Sequence, residues 1–283
     1  MGFALELVSF FATAPGATPV NMAAVPTDST FIRNGSNGSD ILTLAHWTNA
    51  QAAGFTRLFS TTSHDIQRGV QTRNIALQPE IKTPKFPLHW QPQDALIIAQ
   101  TGSATGGDVE TCHLLNFYVD LPGVEANLIN VAELYRRGVQ SLTTTAAAIT
   151  PTVSAAYTGL QTIIAEADLL KPDSEYAIVG GVAAANMGCI AIQGVDFGNL
   201  RVGFPALSQD SQSTKDFFFD LSFWSQLPTI PVFNSANRYS IYVSGVTNEN
   251  LGVVPFHLNL VQLSPRAAKT TAKPTAGGND VTK

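Results

Sequence analysis

An internal duplication limits what this chain can fold into more than any other feature. Leu42 to Gly54 (LTLAHWTNAQAAG) and Tyr176 to Gly188 (YAIVGGVAAANMG) lie at a constant offset of 134, each an apolar, strand-like run entering an Ala-rich turn. Ala50 falls on Ala184 and Gly54 on Gly188, and Phe55–Ser60 then meets Cys189–Gly194. The same offset sets Trp90 on Trp224, with Arg68 and Arg201 aligned between them by one residue of slip. After the tryptophans the second copy carries about ten extra residues, from roughly Ser225 to Ser235. With the offset reset to 144, Leu96-Ile97-Ile98 meets Ser240-Ile241-Tyr242, and His113-Leu114 meets His257-Leu258. Upstream, Ala12–Pro15 resembles Ala148–Pro151 at an offset of 136. Such a period is far longer than the roughly 20–50 residues of solenoid units, so it implies two copies of one domain.

Each copy reads as short alternating strands. In the first they are predicted at Ala4–Phe11, Thr30–Asn34, Ile41–Thr48, Gly54–Ser60, Gly69–Leu77, Leu88–Trp90, Asp94–Thr101 and Asp108–Leu121, separated by Gly, Pro, Asn and Ser. Many short strands without intervening helices describe a sandwich rather than βαβ units, and the expectation is an eight-stranded jelly roll in each copy. Between the copies, Glu125 to Arg137 places Leu128, Val131, Leu134 and Tyr135 on one helical face, with Arg136 and Arg137 in the last turn and Gly138 as a stop. A second helix is expected over Ala155 to Leu170, ahead of Lys171-Pro172. The domain reading is therefore 1–122 for the first roll, 123–138 for a linking helix, 139–265 for the second roll and 266–283 for a polar, basic tail.

Charge excludes several functions. Only 13% of the residues are charged and the net charge is −5, which gives no footprint for nucleic acid. A chain so poor in charge covers itself with neutral polar side chains or buries its outside against other subunits. There is no apolar run long enough to span a bilayer as a helix. The opening segment (MGFALELVSFFATA) carries Glu6 and no early Lys or Arg, so it reads as a strand and not as a secretory signal. Glu6 also stands where myristoylation needs Ser or Thr.

The chemistry-bearing residues form no recognised constellation. The five histidines (His46, His64, His89, His113 and His257) include no His-x-His or His-Glu-x-x-His, so neither metal nor another cofactor is expected. Cys112 and Cys189 make no disulfide framework and suit small buried hydrophobes. There is no Gly-x-Ser-x-Gly. Gly102 to Gly107 lacks the Lys-Ser/Thr of a phosphate loop and reads as a turn, and Val179-Gly180-Gly181-Val182 is no dinucleotide fingerprint. Asp108 and Glu110 share a strand face, expected to be an exposed edge. Two Asn-Gly-Ser sequons at Asn34 and Asn37 read as turn chemistry.

The aromatic stretch Phe217, Phe218, Phe219, Phe223, Trp224 and Phe233, punctuated by Pro228 and Pro231, is too apolar for one face of a strand. Alternation buries only half of such a run, and the rest must cover the other copy or another subunit. These six residues are the candidate subunit interface.

Tandem rolls, low charge, a linking helix and a basic tail, together with Gly54 to Arg73 (GFTRLFSTTSHDIQRGVQTR), Pro87 to Asp94 and Gly102 to Pro122, resemble the double jelly-roll major capsid proteins of tailless icosahedral viruses, including bacteriophages. The resemblance implies a non-enzymatic shell subunit of the virion, made in the host cytoplasm. Three copies would form a pseudo-hexagonal capsomer that meets neighbouring capsomers, a vertex protein and, through its termini, an internal membrane, with no sequence-specific nucleic acid. A two-domain carbohydrate-binding or adhesion protein, using loops such as Asn34–Asp40 or Asn248–Asn250, is the alternative reading. A metal-dependent tandem-roll enzyme is a third, and the absent metal motif argues against it.

Overall fold

The computed structural model describes residues 2–28, 41–61, 69–84, 87–151, 155–185, 187–206, 214–249 and 251–266. The strand expected at Thr30–Asn34, both sequons, His64, Arg68 and the tail beyond Arg266 lie outside these residues.

The chain is all-β, built from antiparallel sheets. In the first copy, β1 (Phe3–Thr13), β3 (Ala23–Ala24), β4 (Ile41–Asn49), β7 (Leu88–Trp90) and β9 (Val109–Val119) form one sheet, in the order β3-β1-β9-β4-β7. Facing it, β2 (Val20–Asn21), β5 (Gly54–Ser60), β6 (Val70–Asn74) and β8 (Leu96–Thr101) run in the order β2-β8-β5-β6. The second copy repeats the plan. Its first sheet contains β10 (Leu128–Ile129), β11 (Gly138–Thr143), β14 (Glu175–Ala183), β17 (Ile230–Asn234) and β19 (Val254–Leu263), in the order β10-β17-β14-β19-β11, and β12 (Ala147–Ile149) also pairs with β19. The other holds β13 (Gln161–Thr162), β15 (Met187–Gln193), β16 (Arg201–Ala206) and β18 (Tyr242–Val246), ordered β13-β18-β15-β16. Strand for strand, β1-β9-β4-β7 corresponds to β11/β12-β19-β14-β17, and β2-β8-β5-β6 to β13-β18-β15-β16. This nested pairing, in which the first and last long strands of each copy lie side by side, is that of a jelly roll.

An antiparallel register fixes only the sum of the two strands' offsets, so the copies are aligned by their shared bulges as well. Trp47 opposes His113 as Val182 opposes His257, and Phe55 opposes Thr101 as Ile190 opposes Gly245. The mid-strand bulges align β4 with β14 at an offset of 135 and β9 with β19 at 144, so His113 does correspond to His257, and the 134 read from the sequence is one residue short on β14. One residue of slip turns a side chain to the other face of its strand. Ile41 opposes Trp90 as Tyr176 opposes Phe233. Trp90 therefore corresponds to Phe233 and not to Trp224, and the extra residues of the second copy precede β17. They contain a helix, α2 (Phe217–Ser225). Both copies bulge in the middle of the same strand, between Thr43 and Ala45 and between Ile178 and Gly180.

The linking helix is shorter than its periodicity suggests. α1 runs from Val131 to Arg137, capped by the Asn130 side chain on the Glu133 amide, because Leu128–Ile129 is drawn into a strand against β17. Val131 and Leu134 are buried while Tyr135 faces solvent. No helix forms over Ala155–Leu170 among the described residues. There, Gln161 and Thr162 pair with Val243 and Tyr242, and an added sheet strand outcompetes a weakly amphipathic turn.

The rolls share an apolar layer. Along β1, Ala4, Val8, Phe10 and Ala12 point into the first roll, while Leu5 and Leu7 point the other way into a second cluster. That cluster also holds Leu44, Trp47, Leu115 and Phe117 of the first copy with Ile190, Val202 and Phe204 of the second. β1 lies on β16, and β4 and β9 lie on β15. The four sheets therefore stack in order, and β1 is buried on both faces, which explains why its alternation is blurred by Phe and Leu on each side.

Candidate interaction surface

The aromatic stretch is a helix and not a strand. Three consecutive phenylalanines give no period from which to choose between them. α2 packs on β14 and β17 and reaches β4 of the first roll, and its residues divide by direction. Phe217 and Phe218 are buried, with Phe217 edge-on to Trp47 of the first roll at 5.8 Å and Phe218 edge-on to Phe204 at 6.1 Å. Phe233, on β17, is buried and stacks on Tyr176 at 5.8 Å. These three fill the chain's own core. Phe219 is partly buried, Phe223 is 62% exposed and Trp224 is 38% exposed.

A continuous aromatic ribbon results. Tyr135, 71% exposed, meets Phe219 edge-on at 5.8 Å, and Phe219 stacks on Phe223 at 6.5 Å with planes 6° apart. Beside it, a cleft of about 470 Å³ runs between α1, β11 and α2, floored by Val179 and Val261 and walled by Tyr135, Val139 and Phe219. Asp216 and Asp220 stand on its α2 rim. Partial burial, together with the neighbouring Asp216, pushes the Asp220 carboxyl up from its ordinary value. Neither aspartate forms an ion pair among the described residues. A smaller hollow of about 250 Å³ opens on the far side of α2, between Trp224 and Ile81 of the first roll. Tyr135, Val139, Asp216 and Asp220 were not identifiable as one surface from sequence, because they lie on three elements that meet only in the fold.

A second constellation is internal, at the contact of the rolls. The Asp28 carboxylate accepts from the Ser9 amide at 2.8 Å, from the Tyr157 hydroxyl at 2.8 Å and from Arg201 Nη1 at 2.7 Å. Arg201 also lies over the Tyr157 ring, 4.2 Å from its centroid. Ser9 Oγ bonds His113 Nδ1 at 2.8 Å and Tyr157 at 2.9 Å. Burial pushes Asp28 up to about 6, against the opposing pull of these donors, and pushes His113 down to about 3. The Ser9–His113 pair is a hydrogen bond inside a closed core and offers no nucleophile to solvent. Trp47 Nε1 donates to the Gly188 carbonyl at 2.6 Å, and a side chain at Gly188 would collide with His113 and Thr111. Glycine at 188 thus serves close approach of the two rolls.

The other candidates resolve individually. Glu110 is buried, not on an exposed edge. It accepts from the Ser103 amide at 2.8 Å and from Gln100 at 2.6 Å, while Asp108 accepts from Ser103 Oγ at 2.5 Å, so the pair closes the Gly102–Gly107 turn. Cys112 and Cys189 are free, and burial pushes both thiols up to about 12. His257 bonds locally, its Nδ1–H donating to the Thr144 carbonyl at 2.8 Å. Among the described residues no group of three or more His, Cys, Asp or Glu side chains converges on one point, and no helix is long and apolar enough to cross a membrane.

No family model and no curated protein matches the chain. Solved structures with a similar course include "PBSX exported protein XepA", at 7% identity and a TM-score of 0.25 over 92% of this chain and 86% of that one. The atomic structure of Sulfolobus Turreted Icosahedral Virus matches at 9% identity and 0.23, over 94% and 81%. The STIV MCP crystal structure matches at 9% and 0.23, over 96% and 100%. They place the chain in no family. At such identities and TM-scores the architecture rests on the chain's own strand pairing.

Proposed function

We propose that this chain is a structural protein of a virus shell, a non-enzymatic subunit of a tailless icosahedral virion such as a bacteriophage. The observation that carries this reading is the repetition of one nested strand order in two stacked rolls of a single chain. A subunit with two nearly equivalent lobes presents six such lobes when three copies surround a threefold axis, which tiles a shell at positions of sixfold surroundings. The low charge supports it, since the centres of protein interfaces are depleted in charged residues. Phe223 and Trp224, with Phe219 behind them, are the aromatic face offered to a neighbouring copy. Phe217 and Phe218 act from below by anchoring α2 in the core, and Phe233 fills that core from β17. A vertex protein and an internal membrane reached through the termini are the further partners of this reading.

Light scattering on the purified chain, with negative-stain images of the same peak, tests it. The expected result is a stable species of three chains with a six-lobed outline. Phe223→Ser combined with Trp224→Ser is expected to yield monomers of unchanged melting temperature. A two-lobed monomer at every concentration overturns the reading, and a glycan screen then addresses the binding-protein alternative.

A further inference from the structure

The cleft beside α2 has an acidic rim, an aromatic wall and an apolar floor, and the described chain ends next to it. Arg266, the last described residue, donates from Nη2 to Asn127 at 2.7 Å and lies 3.9 Å from Glu133 of α1. It lines a second cavity, of about 440 Å³, that has Val139 as a shared wall with the first. Val139 is 65% exposed, so the two cavities flank one ridge of the open edge strand β11. Beyond Arg266 the sequence continues for 17 residues with Lys269, Lys273 and Lys283 against the single acid Asp280. At up to roughly 3.3–3.6 Å per residue, Lys269 can reach about 10 Å from Arg266 and Lys273 more than about 20 Å.

We propose that residues 267–283 of the same chain occupy this cleft, with Lys269 or Lys273 laid across it. A lysine suits each part of the site. Its methylene stem covers Val179 and Val261, and its ammonium reaches the water-facing rim. There it meets Asp216 and Asp220, two carboxylates that lack a cation among the described residues, and the open faces of Tyr135 and Phe219. Large apolar residues are scarce in the segment, so its affinity comes from charge and tethering. The short tether keeps its local concentration high. This occupancy is independent of whether the chain builds a shell, because the segment and the cleft belong to one molecule.

Photocrosslinking of the full chain tests it. A benzophenone-bearing phenylalanine replaces the exposed Tyr135, and the irradiated product is read by denaturing gel and peptide mass spectrometry. The expected product runs at the mass of one chain, maps to residues 267–283, and falls about fivefold in Lys269→Glu/Lys273→Glu, two changes outside the rolls. Crosslinks to other segments, no crosslink, or a product insensitive to these changes each overturn the proposal. A product at the mass of two chains also overturns it, showing that a second copy fills the cleft. Failure of the trimer in scattering leaves these readouts unaffected.

Discussion

A carboxylate, a guanidinium and a phenol meet where the rolls touch, and their residues are far apart in sequence. Arg201 lies 173 positions from Asp28, so no local pattern could have paired them. Asp28 binds its proton at about pH 6 in the folded chain against an ordinary value of 3.8. Folding therefore takes up a proton between these values, and the group's contribution to stability rises as pH falls from 6 to 4. His113, at about 3 against an ordinary 6.5, acts the opposite way, releasing a proton on folding and weakening the fold as pH drops below 6.5. Asp28→Asn removes only the first of these. Its stability relative to the parent is expected to worsen by about 1.4 kcal/mol per pH unit from pH 6 to 4, measured by urea denaturation at each pH. A difference that stays constant with pH would refute the assignment. Arg201→Met leaves the Asp28 carboxylate buried without its cation, and is expected to cost about 3 kcal/mol at pH 7 and clearly less at pH 5.

Among the elements, most strands of the first copy and the core of the linking helix were legible, whereas α2 was not and a helix was expected where none forms, for one physical reason. Strand positions such as Gly54–Ser60 and Leu88–Trp90 are bounded by turn residues and coincide with the observed β5 and β7. Helix assignment relies on the spacing of apolar residues, and that spacing failed at both ends of the scale. α2 is apolar on too many sides for any period to show, whereas Ala155–Leu170 has a helical spacing that sheet pairing overrides. The candidate surface was half legible: its aromatic residues were found, but which of them face outward depends on α2 being a helix. Gly180-Gly181, rejected as a nucleotide motif, has a packing role instead. A side chain on Gly180 would strike the backbone carbonyls of Thr214 and Lys215, which lead into α2. Gly180→Ala is expected to lift that end of α2 from the sheet and cost about 2 kcal/mol, as overpacking does. Denaturant titration gives the cost, and faster amide exchange in α2 than elsewhere localises it. Unchanged exchange there would show that the strand yields instead.

For the molecule as a whole, the shared apolar layer removes independence from the two copies. Leu5, Leu7, Trp47 and Phe117 complete a cluster with residues of the second roll, so a free first roll would expose them to water. One heat-absorption peak is expected in calorimetry of the full chain, with matching calorimetric and van't Hoff enthalpies. Two resolved peaks would mean that the layer is a loose contact. Residues 1–122 expressed alone are expected to be insoluble or to bind hydrophobic dyes, despite containing every strand of the first sandwich.

The pairing of β1 with β9, from Phe3–Val119 to Thr13–Val109, also sets an order in time. A ribosome adds about 5–20 residues per second, so β1 leaves the exit tunnel roughly 5–20 s before its partner exists. During that interval a strand with two apolar faces is held unpaired beside many others like it on a polysome. When β9 arrives, the outer face of the new sheet waits again for β15 and β16, which follow it by some seventy residues or more. Slow translation, or crowding of nascent chains, therefore acts on this protein twice, and a chaperone that binds extended apolar segments has two distinct moments at which to intervene.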